Sequence, residues 1–315
     1  MEALSNTFIA ALESGDENAV AAVPKSDWHN HASNGGNVRM AGIPIPQRPD
    51  TFPSLLAMEE WAHMHIKQWF PKPERYGAAF AQAAADGVTV LAMSFITSEL
   101  EICPTIGDFI SVVQDLHMQY APGVLFLPEL AFFSGSDIAL EEARLDEILS
   151  HNFFTSVDIC GEENADAFAR FKGIYRRARA AGLRLKAHAG EYGTADDVLA
   201  AAETLELDEV HHGIAAADSA LVMQWLARNK IQLNVCPSSN IILGRVADYC
   251  SHPIRRLVDF GVPVTVNSDD MLIFDQSVSR EYLNLFNCGL MTAAELDWIR
   301  RTGLRVGGEC NCGMC

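Results

Sequence analysis

No stretch of about 20 apolar residues, the length a helix needs to cross a bilayer, occurs in this 315-residue chain, so no membrane partner is expected. Basic residues are scarce as well: 23 Lys and Arg face 41 Asp and Glu, a formal net charge of −18. No basic run breaks that balance. Affinity for a phosphate backbone comes from clustered Lys and Arg, so nucleic acid is not an expected partner either. The N-terminal MEALSNTFIAALESGDEN has no basic segment ahead of an apolar one, so no secretory signal is read there and a cytoplasmic setting is expected. Internal repeats and low-complexity tracts are missing too. Of eight cysteines, Cys103, Cys160, Cys236, Cys250 and Cys288 are scattered and are expected to be reduced and packed. Cys310, Cys312 and Cys315 form a terminal CNCGMC. Three close thiols could hold a soft metal, but an exposed tail is the simpler reading.

What is there is a regular alternation. The chain is 49% hydrophobic and 20% charged, as for an ordinary globular protein. Apolar, β-branched runs at 26–31, 87–95, 123–132, 154–160, 183–189, 208–213, 231–237 and 262–269 read as eight strands. Between them lie helical patterns such as 162–182, with apolar residues at three-to-four spacing. Gly182 and Gly261 stand at helix-to-strand junctions, where a left-handed cap is expected. Continuous apolar strands alternating with helices indicate a parallel sheet covered on both faces. Eight such units predict a single α/β domain, a (β/α)8 TIM-type barrel over residues 1–309, with 310–315 as a tail. The Gly-, Pro- and Asn-rich segment 32–53 is expected to lie over the C-terminal mouth, where barrels bind substrates.

The polar residues have a pattern of their own. KSDWHNH (25–31) places His29 and His31 two apart, on one face of a strand, where two imidazoles can meet. Taken alone this is a weak metal signal. Yet His188 and Glu191 follow the fifth strand, His212 ends the sixth, and Asp269 and Asp270 end the eighth. In a barrel these ends converge on one mouth. Each residue has a plain alternative: His188 a hydrogen-bonded core histidine, Glu191 a first-turn acid, Asp269 and Asp270 loop carboxylates or caps. Four coincident strand ends weigh against all of these together. A second HxH, His63 and His65, lies in a helical pattern, where residues two apart point about 200° apart and cannot share an ion. His211, beside His212 on a strand, is expected to face the other way.

PKSDWHNH (24–31), VDICGEE (157–163), HAGE (188–191), HHG (211–213), VCPSSN (235–240) and NSDD (267–270) together resemble the adenosine deaminases of the amidohydrolase superfamily. The order and the strand ends match from about Pro24 to Phe274. The resemblance implies one Zn²⁺ per chain, held by His29, His31, His188 and Asp269, a ligand set that suits zinc. It implies hydrolytic deamination of adenosine or a related 6-aminopurine nucleoside, with Glu191, His212, Asp269 and Asp270 catalytic. Gly161, Gly190, Ser33 and Asp270 would contact the substrate. The fourth strand lacks the lysine that bridges two metals in binuclear relatives, which favours one ion. Lys186, two residues before His188, is expected deeper in the barrel, and Ser238, Ser239 and Asn240 are read as fixing a loop beside the site.

The match departs from the family at HNHASNGG, where an acidic residue that can contact the ribose 5′-hydroxyl is replaced by Ser33 and a glycine by Asn34. Met271 replaces a proline. These changes alter the substrate walls and leave the ligands intact. A zinc amidohydrolase acting on another amino-heterocycle is the alternative, and a non-catalytic barrel a more distant one.

Overall fold

A computed structural model of the chain describes residues 2–309 apart from Ile43 and Ile45; the CNCGMC segment lies outside the described residues. All eight expected strands are present: β1 (Lys25–Asp27), β2 (Val88–Ile96), β3 (Leu125–Phe133), β4 (Ser156–Cys160), β5 (Arg184–Ala189), β6 (Glu209–His212), β7 (Gln232–Val235) and β8 (Val264–Val266). They pair in parallel in sequential order. Past the ends of β8 and β1, an isolated Asn30–Asp269 bridge brings the last strand back to the first. Helices follow the strands around the outside, giving the expected (β/α)8 barrel.

Local sequence explains the alternation. Helix Ala165–Ala180 starts where the Asn164 side chain accepts the Ala167 N–H, satisfying a donor that the first turn leaves free. Its Phe168, Phe171, Ile174, Tyr175 and Ala178 are buried, one stripe at helical spacing. Gly182 then takes φ +85°, a left-handed conformation that costs glycine nothing. Burial of eight apolar strands and their covering helices makes one continuous core.

The first connection is the irregular part. Helices Leu55–His65 and Lys72–Ala85 interrupt it, and it is pinned across the barrel mouth. Phe52 donates its N–H to the Ile242 carbonyl at 2.8 Å, and Arg39 pairs twice with Asp275 at 2.6 and 2.9 Å. Beneath them Phe52, Met58, Ala62, Ile66 and Phe70 pack with Ile242, Leu243 and Leu272–Phe274 in a second apolar cluster. The loops after β7 and β8 are thus tied to the loop after β1. Among the described residues, no helix is long and apolar enough to cross a membrane.

Candidate active site

β1 ends at Asp27, so His29 and His31 lie just past the strand rather than within it. Their alternation survives because bridges continue the ladder: Asn30 to Asp269 and His31 to Ser94. The two rings meet edge to face, 4.8 Å between centroids. His188, on β5, joins them, and one ring nitrogen from each of the three lies within 4.8 Å of the others. Asp269 completes the group, with Oδ1 3.6 Å from His29 Nε2 and 3.4 Å from His31 Nε2. Four residues from three distant segments converge as the strand-end argument expected.

Whether they fit a cation is decided by their other contacts. His31 Nδ1 meets Ser94 Oγ at 2.9 Å, and His188 Nδ1 meets Asp158 Oδ1 at 3.2 Å and Oδ2 at 2.9 Å. Each therefore has Nδ1 engaged and Nε2 free to ligate, the arrangement that fixes a metal-binding tautomer. His29 is 1% exposed, and neither of its ring nitrogens has a hydrogen-bond partner among the described residues. A buried imidazole without partners is costly unless something else engages it. Three imidazoles and a carboxylate suit zinc by ligand type.

The remaining sequence-predicted residues sit around this cluster. His212 turns at φ +61° and Asp269 at φ +58°, both strained for residues other than glycine and of the kind found where function fixes the backbone. Asn240 donates to His212 Nδ1 at 3.3 Å. That contact leaves Nε2–H to point towards Asp269 Oδ2, 3.8 Å away. Glu191 lies 3.5 Å from His212 Nδ1 and accepts from Ser239 Oγ at 3.3 Å. Burial, and then the neighbouring Glu163 carboxylate, push the Glu191 carboxyl up to about 8. Burial likewise lifts Asp269 well above the carboxylate range, reinforced by the charges of Asp270 and Glu191. Buried Asp270 has an Oδ1 with no hydrogen-bond partner among the described residues. His31, Ser33, Gly161, His188, Glu191, His212, Asp269 and Asp270 all line one cavity of about 580 Å³.

Gly190 does not line that cavity. It takes φ +74°, and a Cβ there would stand 2.3 Å from Val198. Its lack of a side chain serves the turn between His188 and Glu191. Gly161, at φ +108°, lines the cavity, but a Cβ would also meet Ser134 Oγ at 2.5 Å, so its own loop requires glycine as well. His211 departs from the alternation rule. It points into the barrel beside His212, with Nε2 3.0 Å from Glu129 Oε1 and its ring stacked on His29 at 3.9 Å. The left-handed turn at His212 rotates that residue inward too, so neighbours share one side. His63 and His65 belong to no candidate metal group among the described residues; His65 stacks on Trp61 at 5.1 Å.

Sequence reasoning missed the supporting residues. Asp158 and Ser94 are polar residues on the otherwise apolar strands VDIC and VLAMSF, and a buried polar group on such a strand is the available signal. Glu163 accepts the N–H groups of Glu191, Tyr192 and Gly193 at 3.1 Å each, fixing the loop that carries Glu191. Ser239 faces the cavity and touches Glu191, whereas Ser238 is tied to Tyr249 and Glu281.

Known proteins share this fold. The zinc-bound amidohydrolase structure from Burkholderia ambifaria aligns with a TM-score of 0.76 at 20% identity, covering 93% of this chain and 87% of that one. Adenine deaminase from Arthrobacter aurescens aligns with a TM-score of 0.77 at 23% identity, covering 90% and 93%. At such identities these two establish the fold alone. In sequence, a Treponema pallidum protein named for adenosine or adenine deamination is 30% identical over 281 residues, 85% of this chain and 93% of its own length. The adenosine deaminase family model matches residues 134–307, which contain His188, Glu191, His212, Asp269 and Asp270. The chain thus belongs to the adenosine deaminase family and is a metal-dependent hydrolytic deaminase.

Proposed function

We propose that the protein hydrolyses the 6-amino group of adenosine or a related 6-aminopurine nucleoside, using one zinc ion, to give ammonia and the 6-oxo product. The observation that carries this reading is the shared cavity. Its walls include His31, His188 and Asp269 of the candidate metal cluster, with His29 buried against them, together with the buried acid Glu191 and Asp270, whose Oδ1 has no partner among the described residues. A volume of about 580 Å³ suits a nucleoside-sized ligand.

His29, His31, His188 and Asp269 would hold the ion. When bound, it supplies an activated water at neutral pH. Glu191, its carboxyl lifted to about 8, holds a proton near neutrality and delivers it to ring N1, which lets the ring accept electrons at C6. Ser239 and the Glu163-bound loop keep that carboxyl in place. His212 presents Nε2–H towards the reacting centre and steadies developing charge, while Asp269 also accepts a proton. Asp270 bonds ring N7, for which it must be protonated, because N7 only accepts. The Gly161 N–H meets N3. Ser33 faces the N9 substituent.

A second reading, free adenine as substrate, draws on the Arthrobacter aurescens enzyme, which is named for that base. The deciding experiment follows ammonia release and purine absorbance with zinc-loaded protein on adenosine and adenine, with metal content measured on the same sample. Turnover of adenosine supports the nucleoside reading, and turnover of adenine alone selects the second. No purine turnover with one bound zinc would move the search to other amino-heterocycles.

A further inference from the structure

One cavity wall carries charge that deamination does not use. It is built by the long connection between β1 and β2 and includes Lys67, Lys72 and Arg75, with Glu59 and, from the loop after β2, Glu99. Lys67 is paired with Glu59, and Lys72 lies 3.6 Å from Glu99. On this wall three cations stand against two carboxylates, the cavity's other four, Glu163, Glu191, Asp269 and Asp270, lying elsewhere around it. The cation with no salt bridge among the described residues is Arg75, on which the charges of Glu99 and Glu59 act only from farther off. It is 5% exposed, and its Nε and Nη1 have no hydrogen-bond partner among the described residues. Buried donors of this kind call for a partner. A guanidinium fork matches a carboxylate or phosphate oxygen pair. Adenine offers no such group, and a ribose offers only hydroxyls. Ser33, Asn34 and Ser98 add uncharged polar groups to the same cavity.

We propose that the substrate is a 6-aminopurine whose N9 substituent carries an anionic group, phosphate or carboxylate, and that Arg75, assisted by Lys72, receives it. This rests on the deaminase reading and narrows its substrate class. The test compares kcat/KM for adenine, adenosine, adenosine 5′-monophosphate and adenosine-5′-carboxylate, with wild type, R75Q and K72Q loaded with zinc. Calorimetric binding of the two anionic nucleosides is measured alongside.

An anionic substrate should exceed adenosine by at least about tenfold, and R75Q should narrow that preference by about ten- to a hundredfold, as for one or two charge-assisted hydrogen bonds. The better of the two anions identifies the group. Should R75Q fold poorly, K72Q carries the test and should narrow the preference in the same sense. Adenosine or adenine turned over as fast as both anions would overturn the proposal, as would equal losses on every substrate. Tight, Arg75-dependent binding of the anionic nucleosides without turnover of any purine would sink the deaminase reading and leave the anion site standing. Binding no tighter than that of adenosine would sink the anion site itself.

Discussion

Asp158→Asn isolates what an outer partner contributes to the metal cluster. Asp158 is fully buried, and its oxygens stand 3.2 and 2.9 Å from His188 Nδ1; His211 Nε2 is next nearest at 3.9 Å. Asparagine keeps the shape and one acceptor oxygen but removes the charge that polarises His188. A hydrogen bond to a charged group contributes about 1.5–3 kcal/mol. Independently, losing a partner that orients a metal-bound histidine costs about 10- to 100-fold in affinity, or about 1.4–2.7 kcal/mol. The two routes agree, so zinc should bind the variant one to two orders of magnitude more weakly. The assay is competition for zinc against a chromophoric chelator at fixed pH. Thermal unfolding of the metal-free proteins, run in parallel, separates a weakened site from a weakened fold. A normally folded variant with unchanged zinc affinity would refute the assignment of His188 as a ligand oriented by Asp158.

Glu191→Gln should retain zinc and lose turnover by about a hundredfold or more, the loss expected for a missing general acid; unchanged turnover would remove Glu191 from that role. Because burial lifts the Glu191 carboxyl to about 8, the protonated, donating form prevails below that pH and is lost above it. kcat/KM should therefore fall as pH rises through about 8, and a profile flat well beyond that would contradict the proton-donor assignment. Replacing His63 or His65 by alanine should leave zinc content unchanged by elemental analysis, since neither joins the cluster; loss of metal would undo the helical-periodicity argument.

The barrel was legible because its strands are buried on both faces, so eight apolar runs stood out with helical patterns between them. The meeting of His29, His31, His188 and Asp269 was legible because strand ends converge in such a fold, a rule that needs no coordinates; their role as ligands came from the resemblance. What escaped was set by backbone geometry that residue types do not encode. β1 stops at Asp27, yet the ladder continues through single bridges, which is why His29 and His31 still meet. The alternation rule placed His211 outward and failed because His212 leaves the strand conformation at φ +61°. The resemblance implied a substrate contact at Gly190; the 2.3 Å approach of a Cβ there to Val198 adds a packing demand that residue type does not reveal. Arg75 gave no signal at all, since a charged residue near a helix start looks like solvated surface until its burial is known.

The barrel interior also bears on why the proposed cation would sit at its mouth rather than at its floor. Below the histidine cluster, Lys186 is buried with Nζ 2.7 Å from Glu129 and 3.5 Å from Glu209, and Arg184 pairs with Glu209 at 2.8 Å. Two cations therefore match two carboxylates. Burial alone would raise both acids, but Lys186 outweighs it, helped by His211 at Glu129 and by Arg184 at Glu209. Both carboxyls are held below their usual range. One layer up, Glu191 and Asp269 are pushed the other way by the same burial, and His29 and His212 are driven well below the usual imidazole range. The floor balances its charges with the chain's own residues. The mouth gathers carboxylates and imidazoles of two kinds: burial pushes His29, His31 and His212 down, whereas at His188 the Asp158 carboxylate outweighs burial and raises it to about 10; no lysine or arginine is salt-bridged to Asp269 or Glu191 among the described residues. Glu129, Asp158 and His211 could geometrically bind an ion, but the lysine ammonium already sits against Glu129. A divalent cation held by His29, His31, His188 and Asp269, as proposed above, would bring positive charge to carboxylates that have no lysine or arginine salt bridge among the described residues.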